Sequence, residues 1–125
     1  MAPATPHLPQ QVPIEGYGKG GFRFADMSHR GSLLCVPSGI WAWPVRDASE
    51  IDAAAVAPIL SEAEAIDFLV LGCGTKGWMM PEAMRWQFRD ARIGLEIMPT
   101  GGAIRTYNIL LGERRRVAAA LIAVE

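Results

Sequence analysis

The stretch from Phe68 to Gly77, F-L-V-L-G-C-G-T-K-G, constrains the fold more than any other part of the chain. Four apolar residues in a row, without polar alternation, predict a strand buried on both faces, as in a helix-flanked parallel sheet. Gly72, Gly74 and Gly77 then predict a loop that turns sharply or lets a ligand approach the backbone. Pro81 opens an amphipathic segment that runs to Arg92, so the order is strand, glycine loop, helix. Loops at the carboxyl ends of such strands are where α/β proteins place their sites.

Alternation continues downstream with a strand over 93–98, a helix over about 101–111 and a strand over 117–124. That order predicts βαβ crossovers and a largely parallel core, with the direction of the last strand left open. Upstream, 14–17 reads as a short edge strand closed by a Gly18–Gly21 turn. The runs 22–24, 32–36 and 40–43 read as an antiparallel meander. Phe22 with Phe24, and Trp41 with Trp43, lie two apart on their strands, so each pair shares a face and is expected to pack. Asp47 or Ser49 is expected to cap a helix whose stripe is Ile51, Ala54, Ala55, Ile59 and Leu60, with Pro58 ending or bending it. Residues 1–13, with four prolines, are expected to form a flexible arm on one domain spanning 14–125.

A chain of 125 residues has room for a single core. Its net charge of −1 gives no electrostatic case for nucleic acid or an anionic membrane surface. No apolar run approaches the roughly 20 residues of a transmembrane helix. The absence of a basic, apolar leader makes the cytoplasm the expected location. Cys35 and Cys73 lack the spacing of a disulfide scaffold or zinc site and read as small buried residues in a reduced compartment.

Gly72-x-Gly74-x-x-Gly77 matches the letters of a dinucleotide fingerprint, and Glu96 stands where a ribose partner belongs. The helix of the true motif begins within its glycines, whereas here Pro81 marks a start four residues later. No cofactor is therefore expected. Lys76 sits in the wrong order for a phosphate loop, and Cys73 has neither His7 nor His29 near it in sequence to act as a base. If the two strands are adjacent and parallel, Gly72, Gly74, Thr75 and Lys76 meet Thr100 and Gly101 in one crevice suited to a small anion. The competing reading is that these glycines only permit tight turns. Trp78, Met79 and Met80, with Arg85 and Arg89 on the following helix, form a second candidate: a surface for a protein partner.

These residues, taken as an ensemble, resemble a known family. F-L-V-L-G-C-G-T-K, then P-E-A-M-R, then I-G-L-E-I-M-P-T-G-G with T-Y-N and a terminal A-A-L-I are similar to a small family of α/β domains. That family includes mitochondrial NADH:ubiquinone oxidoreductase complex assembly factor 3, and the likeness covers about 14–122. The resemblance implies a three-layer α/β/α domain with a mixed central sheet, an antiparallel last strand and an N-terminal antiparallel β subdomain. It also implies a non-enzymatic role in binding other proteins, including a part in complex I assembly. Gly72, Gly74, Thr75, Glu96, Thr106 and Asn108 are the matching positions, either structural or lining a site. The first expectation is thus a protein-binding domain. The alternative is a small-molecule or anion binder, or an enzyme, using 72–77 and 99–102, and a homo-oligomer is a third reading.

Overall fold

The computed structural model describes residues 6–125. In chain order its elements are β1 (Gly16–Gly18), β2 (Gly21–Phe24), β3 (Met27–Arg30), β4 (Ser32–Val36), β5 (Gly39–Trp43), α1 (Ala53–Leu60), β6 (Phe68–Gly72), α2 (Glu82–Asp90), β7 (Gly94–Met98), α3 (Thr100–Gly112) and β8 (Val117–Leu121). Strands β5-β4-β8-β6-β7 form the central sheet, and β1-β2-β3 form a small antiparallel sheet beside it.

The central strands are apolar on both faces because both faces are covered. Leu34, Val36, Leu69, Leu71, Ala118 and Ala120 point to one core with Val56 and Ile59 of α1 and Met84 and Phe88 of α2. The alternate residues Leu33, Cys35, Val70, Val117, Ala119 and Leu121 point to a second core. There they meet Ala103, Ile104 and Tyr107 of α3, and Phe22 and Phe24 of the small sheet. The three-layer α/β/α arrangement with a mixed sheet and an N-terminal antiparallel sheet is therefore the one expected.

Topology explains why the helices separate. The step from β6 to β7 moves outward to the sheet edge, whereas β7 to β8 moves back across β6. Right-handed crossovers in opposite directions place their helices on opposite faces. Both steps return the chain to the same end of the sheet, as the registers Phe68 with Gly94 and Phe68 with Val117 require. Strand β8 is accordingly parallel to β6 and antiparallel only to β4, which corrects the antiparallel last strand implied by the resemblance.

The expected meander also needs correction. The β4–β5 hairpin belongs to the central sheet, joined through β8, while β2 pairs instead with β1 on one side and β3 on the other. No alternation marks β3, whose Met27, Ser28 and Arg30 are exposed. The expected helix cap is displaced as well. Asp47 caps a short 3-10 turn at Ala48–Glu50, and Asp52 caps α1 by accepting from the Ala55 amide at 2.9 Å. Helix α1 runs two residues past Pro58 and stops at Leu60.

Residues 1–5 of the expected arm lie outside the described residues, and 6–13 are anchored. Leu8 bridges Ile40, and the Gln11 side-chain amide donates to the Cys35 and Val117 carbonyls. Tyr107 donates its hydroxyl to the Val12 carbonyl at 2.9 Å. The Asn108 side chain clamps Ile14, accepting from its amide at 2.9 Å and donating to its carbonyl at 2.8 Å.

Beneath this strap, burial pushes the Cys35 thiol up to about 12 from 9.0, although a hydrogen bond with Tyr107 opposes the rise. Burial first, then the neighbouring Cys35, raises the Tyr107 phenol as well. Both groups are acids that the folded state keeps protonated. The Cys35 contribution to stability is complete below pH 9.0 and is lost as the pH climbs toward 12, while that of Tyr107 is retained to higher pH. Urea denaturation across this range should show stability falling with pH, with a shallower fall in Cys35→Ala. Parallel profiles for the two proteins would contradict the linkage.

Candidate functional site

The two glycine-bearing turns do leave adjacent parallel strands together, at the ends of β6 and β7. What fills the space between them is Thr100, only 1% exposed. Its Oγ1 accepts from the Gly74 amide at 3.0 Å and donates to the Ile122 carbonyl at 2.8 Å, while its own amide donates to the Gly74 carbonyl at 3.0 Å. The Cys73 amide donates to Met98 and the Ile122 amide to Gly72, both at 2.9 Å. These bonds knit the carboxyl ends of β6, β7 and β8 into one joint.

The glycines have distinct duties here. A Cβ at Gly72 would stand 2.9 Å from the Thr100 Cα, so its absence lets the start of α3 close onto β6. Gly74 has φ +94°, a left-handed backbone that other residues adopt at a cost. Gly101 lies beneath the Tyr17 hydroxyl, and a side chain there would push that half-exposed ring aside. Gly77 faces open space.

Of the six crevice residues, Gly72, Gly74 and Thr100 thus meet within the protein, and Gly101 is covered by Tyr17. Thr75 and Lys76 are exposed and border a depression of about 290 Å³ with Arg46, Asp47 and the carboxyl-terminal residues. Asp47 has its carboxyl held below the usual range by hydrogen bonds from Ser49, with the Lys76 charge a smaller contributor. Lys76 therefore already faces an anionic group. Cys73 is buried and its Sγ donates to the Lys76 carbonyl at 3.2 Å. The His7 and His29 rings lie tilted at 51° with centroids 4.5 Å apart, and His29 belongs to β3, not to a turn. No cluster of three or more metal-ligating side chains occurs among the described residues.

The second candidate divides differently. Met80 is 2% exposed and belongs to the core, so it leaves the expected partner surface. Trp78 is half-buried against that core, and Met79 is 81% exposed. Arg85 and Arg89 are exposed on α2; Arg85 donates through Nε to the Met80 carbonyl at 3.2 Å. Arg89 holds its guanidinium 4.6 Å from the centroid of the Trp86 ring, which is itself 49% exposed. Trp86 was not among the expected surface residues, although its position two after Met84 already places it off the Met84–Phe88 face.

Comparison with known proteins follows the fold. The family model described as a protein of unknown function (DUF498/DUF598) matches residues 14–122. The chain belongs to that family. An uncharacterised protein of Rhodobacter capsulatus is 36% identical over 122 residues, covering 98% of this chain and 93% of its own length. The NADH dehydrogenase [ubiquinone] 1 alpha subcomplex assembly factor 3 of Xenopus tropicalis is 28% identical over 109 residues, 87% of this chain. This chain spans 60% of that relative. Among solved structures, one described as an outer membrane protein from Bartonella henselae superposes with a TM-score of 0.91 at 44% identity, covering 95% of this chain and all of its own. A Rhodopseudomonas palustris protein gives 0.81 at 48% identity, covering 99% and 90%.

The joint makes its own demand on sequence. Thr100→Val removes one hydroxyl but strands two buried backbone groups, at about 1–3 kcal/mol each. Denaturant unfolding should show that loss for Thr100→Val and far less for Thr100→Ser. Equal effects would mean that the hydroxyl is not what joins the strand ends.

Proposed function

We propose that the protein is a non-enzymatic binding domain that docks another protein through Met79, the exposed edge of Trp78, Trp86, and the Arg85 and Arg89 side of α2. The observation that carries the reading is Met79 standing 81% exposed next to the half-buried Trp78, with Trp86 49% exposed on the helix that follows. An unbranched thioether adapts to a partner's contours, and Trp and Arg are the side chains that dominate binding energy at interfaces. Arg89 stacked on Trp86 presents a flat apolar plate with a charged rim. Kinship with assembly factors of NADH dehydrogenase supports a partner among the subunits of that enzyme, or among proteins that handle them. We place this action in the cytoplasm, and no helix among the described residues is long and apolar enough to cross a membrane.

Met79→Ser combined with Trp86→Ser tests the surface. Neither residue is buried, so the thermal midpoint should stay within a few degrees of the parent. Affinity purification from the native cell should recover NADH dehydrogenase subunits with the parent protein and lose them at least tenfold with the variant. Recovery that is unchanged by the double substitution would refute the surface. Absence of such subunits from the parent's own preparation would refute the partner class.

A further inference from the structure

The outer face of the small sheet has an unusual make-up. Phe22 and Phe24 of β2 point inward, so Arg23 points out. The registers set Arg23 between Gly16 and Ser28, and Gly21 between Gly18 and Arg30. Residues directly opposite one another share a face. The outward face therefore carries two arginines and Ser28 on a floor of glycine backbone, with Lys19 at the turn that ends the β1–β2 hairpin. Missing side chains at Gly16, Gly18 and Gly21 leave a concavity of about 650 Å³, within the usual range of small-molecule pockets.

Its charge is equally one-sided. Lys19, Arg23 and Arg30 line the hollow, and no carboxylate does. The ion pairs among the described residues, Arg115 with Glu113 and Arg116 with Asp67, leave these three cations unmatched. In a chain of net charge −1, three unanswered cations around one hollow are a local feature and not a general basicity.

Gly16 separates a built hollow from an accident of folding. Gly18 has φ +126°, and a Cβ at Gly21 would run into the His29 carbonyl, so the backbone requires both glycines. Gly16 is under neither constraint. A Cβ there would meet Arg23 Cβ at 3.9 Å, ordinary van der Waals contact. The fold leaves this position free for a strand-forming side chain, and glycine keeps the floor open below Arg23.

We propose that this face is a binding cleft for a soluble phosphate-bearing molecule, a phosphate ester or diphosphate. Arg23 and Arg30 grip the phosphate through their guanidinium forks, Lys19 adds a third charge, and the glycine floor receives the attached group. Guanidinium forks match phosphate oxygens two at a time, and a phosphate carries enough charge to answer more than one cation. The cleft lies on the opposite side of the central sheet from Met79 and Trp86, so the proposal stands apart from the partner surface.

Pyrophosphate and inorganic phosphate, titrated at a constant ionic strength of about 0.1 M with acetate as control, test it by amide NMR. Saturable shifts should centre on 16–23 and 28–30, with pyrophosphate binding tighter than acetate. Arg23→Gln and Arg30→Gln should each weaken binding about tenfold or more. Gly16→Val should abolish it while the thermal midpoint stays close to the parent's. Shifts that never saturate, that fall elsewhere, or that persist in Gly16→Val would overturn the cleft. Sedimentation with phosphatidylglycerol vesicles, without a pyrophosphate response, would assign the face to a membrane surface and overturn it too.

Discussion

One buried hydroxyl sits at the centre of the hydrogen bonds that join the carboxyl ends of this sheet's strands. Thr100 Oγ1 is bonded to the backbone just past β6 and just past β8, and the residue opens α3 directly after β7. Three strands and a helix consequently meet at one buried atom. In a dry environment an unmade hydrogen bond costs more than a made one contributes, so such a joint is intolerant of approximate geometry. Gly72 and Gly74 follow from it: one lets the helix start approach, and the other supplies the backbone turn that aims an amide at the hydroxyl.

Two of the fingerprint letters, Gly72 and Gly74, now have a physical account, and Gly77 faces open space. In a dinucleotide fold the first helix begins inside the glycines and turns its free amides toward a pyrophosphate. Here α2 begins only at Glu82, after Trp78 and Met80 have packed against the core. The amides of Cys73 and Gly74 go to Met98 and Thr100. Glu96 lies exposed within the edge strand β7, away from the strand's end. The same spacing of glycines serves a protein–protein contact within one chain in place of a protein–ligand contact.

Much of the central layer was legible because burial writes itself into composition. Strands β4, β6 and β8 are covered on both faces and are apolar apart from Ser32 at the start of β4, and α2 shows one apolar stripe, Met84 with Phe88. The small sheet was half hidden. β3 has one face toward solvent and little apolar content on the other, and its turn from β2 runs through Ala25 and Asp26, both with positive φ, a conformation that Ala-Asp does not announce. The strap was hidden for a related reason. Gln11 and Asn108 are polar residues that substitute for strand hydrogen bonds, and their partners lie more than ninety positions away in Val117 and Ile14. Of the residues singled out in the sequence, Thr75, Lys76, Met79, Arg85 and Arg89 face solvent.

Placement of the two helices around the sheet has a functional consequence. Because α2 and α3 lie on opposite faces, the exposed Met79 and Trp86 accompany one core, while the small sheet and its arginines accompany the other. A partner docked along α2 leaves the arginine face uncovered, and a ligand on that face touches nothing in α2. Coupling between the two would have to pass through the central sheet, whose middle strand β8 has small alanines at three successive positions. Small side chains bring helix and sheet backbones close, and a layer packed that tightly resists the sliding that coupling would need. The architecture therefore favours two surfaces that are filled independently over one surface that regulates the other.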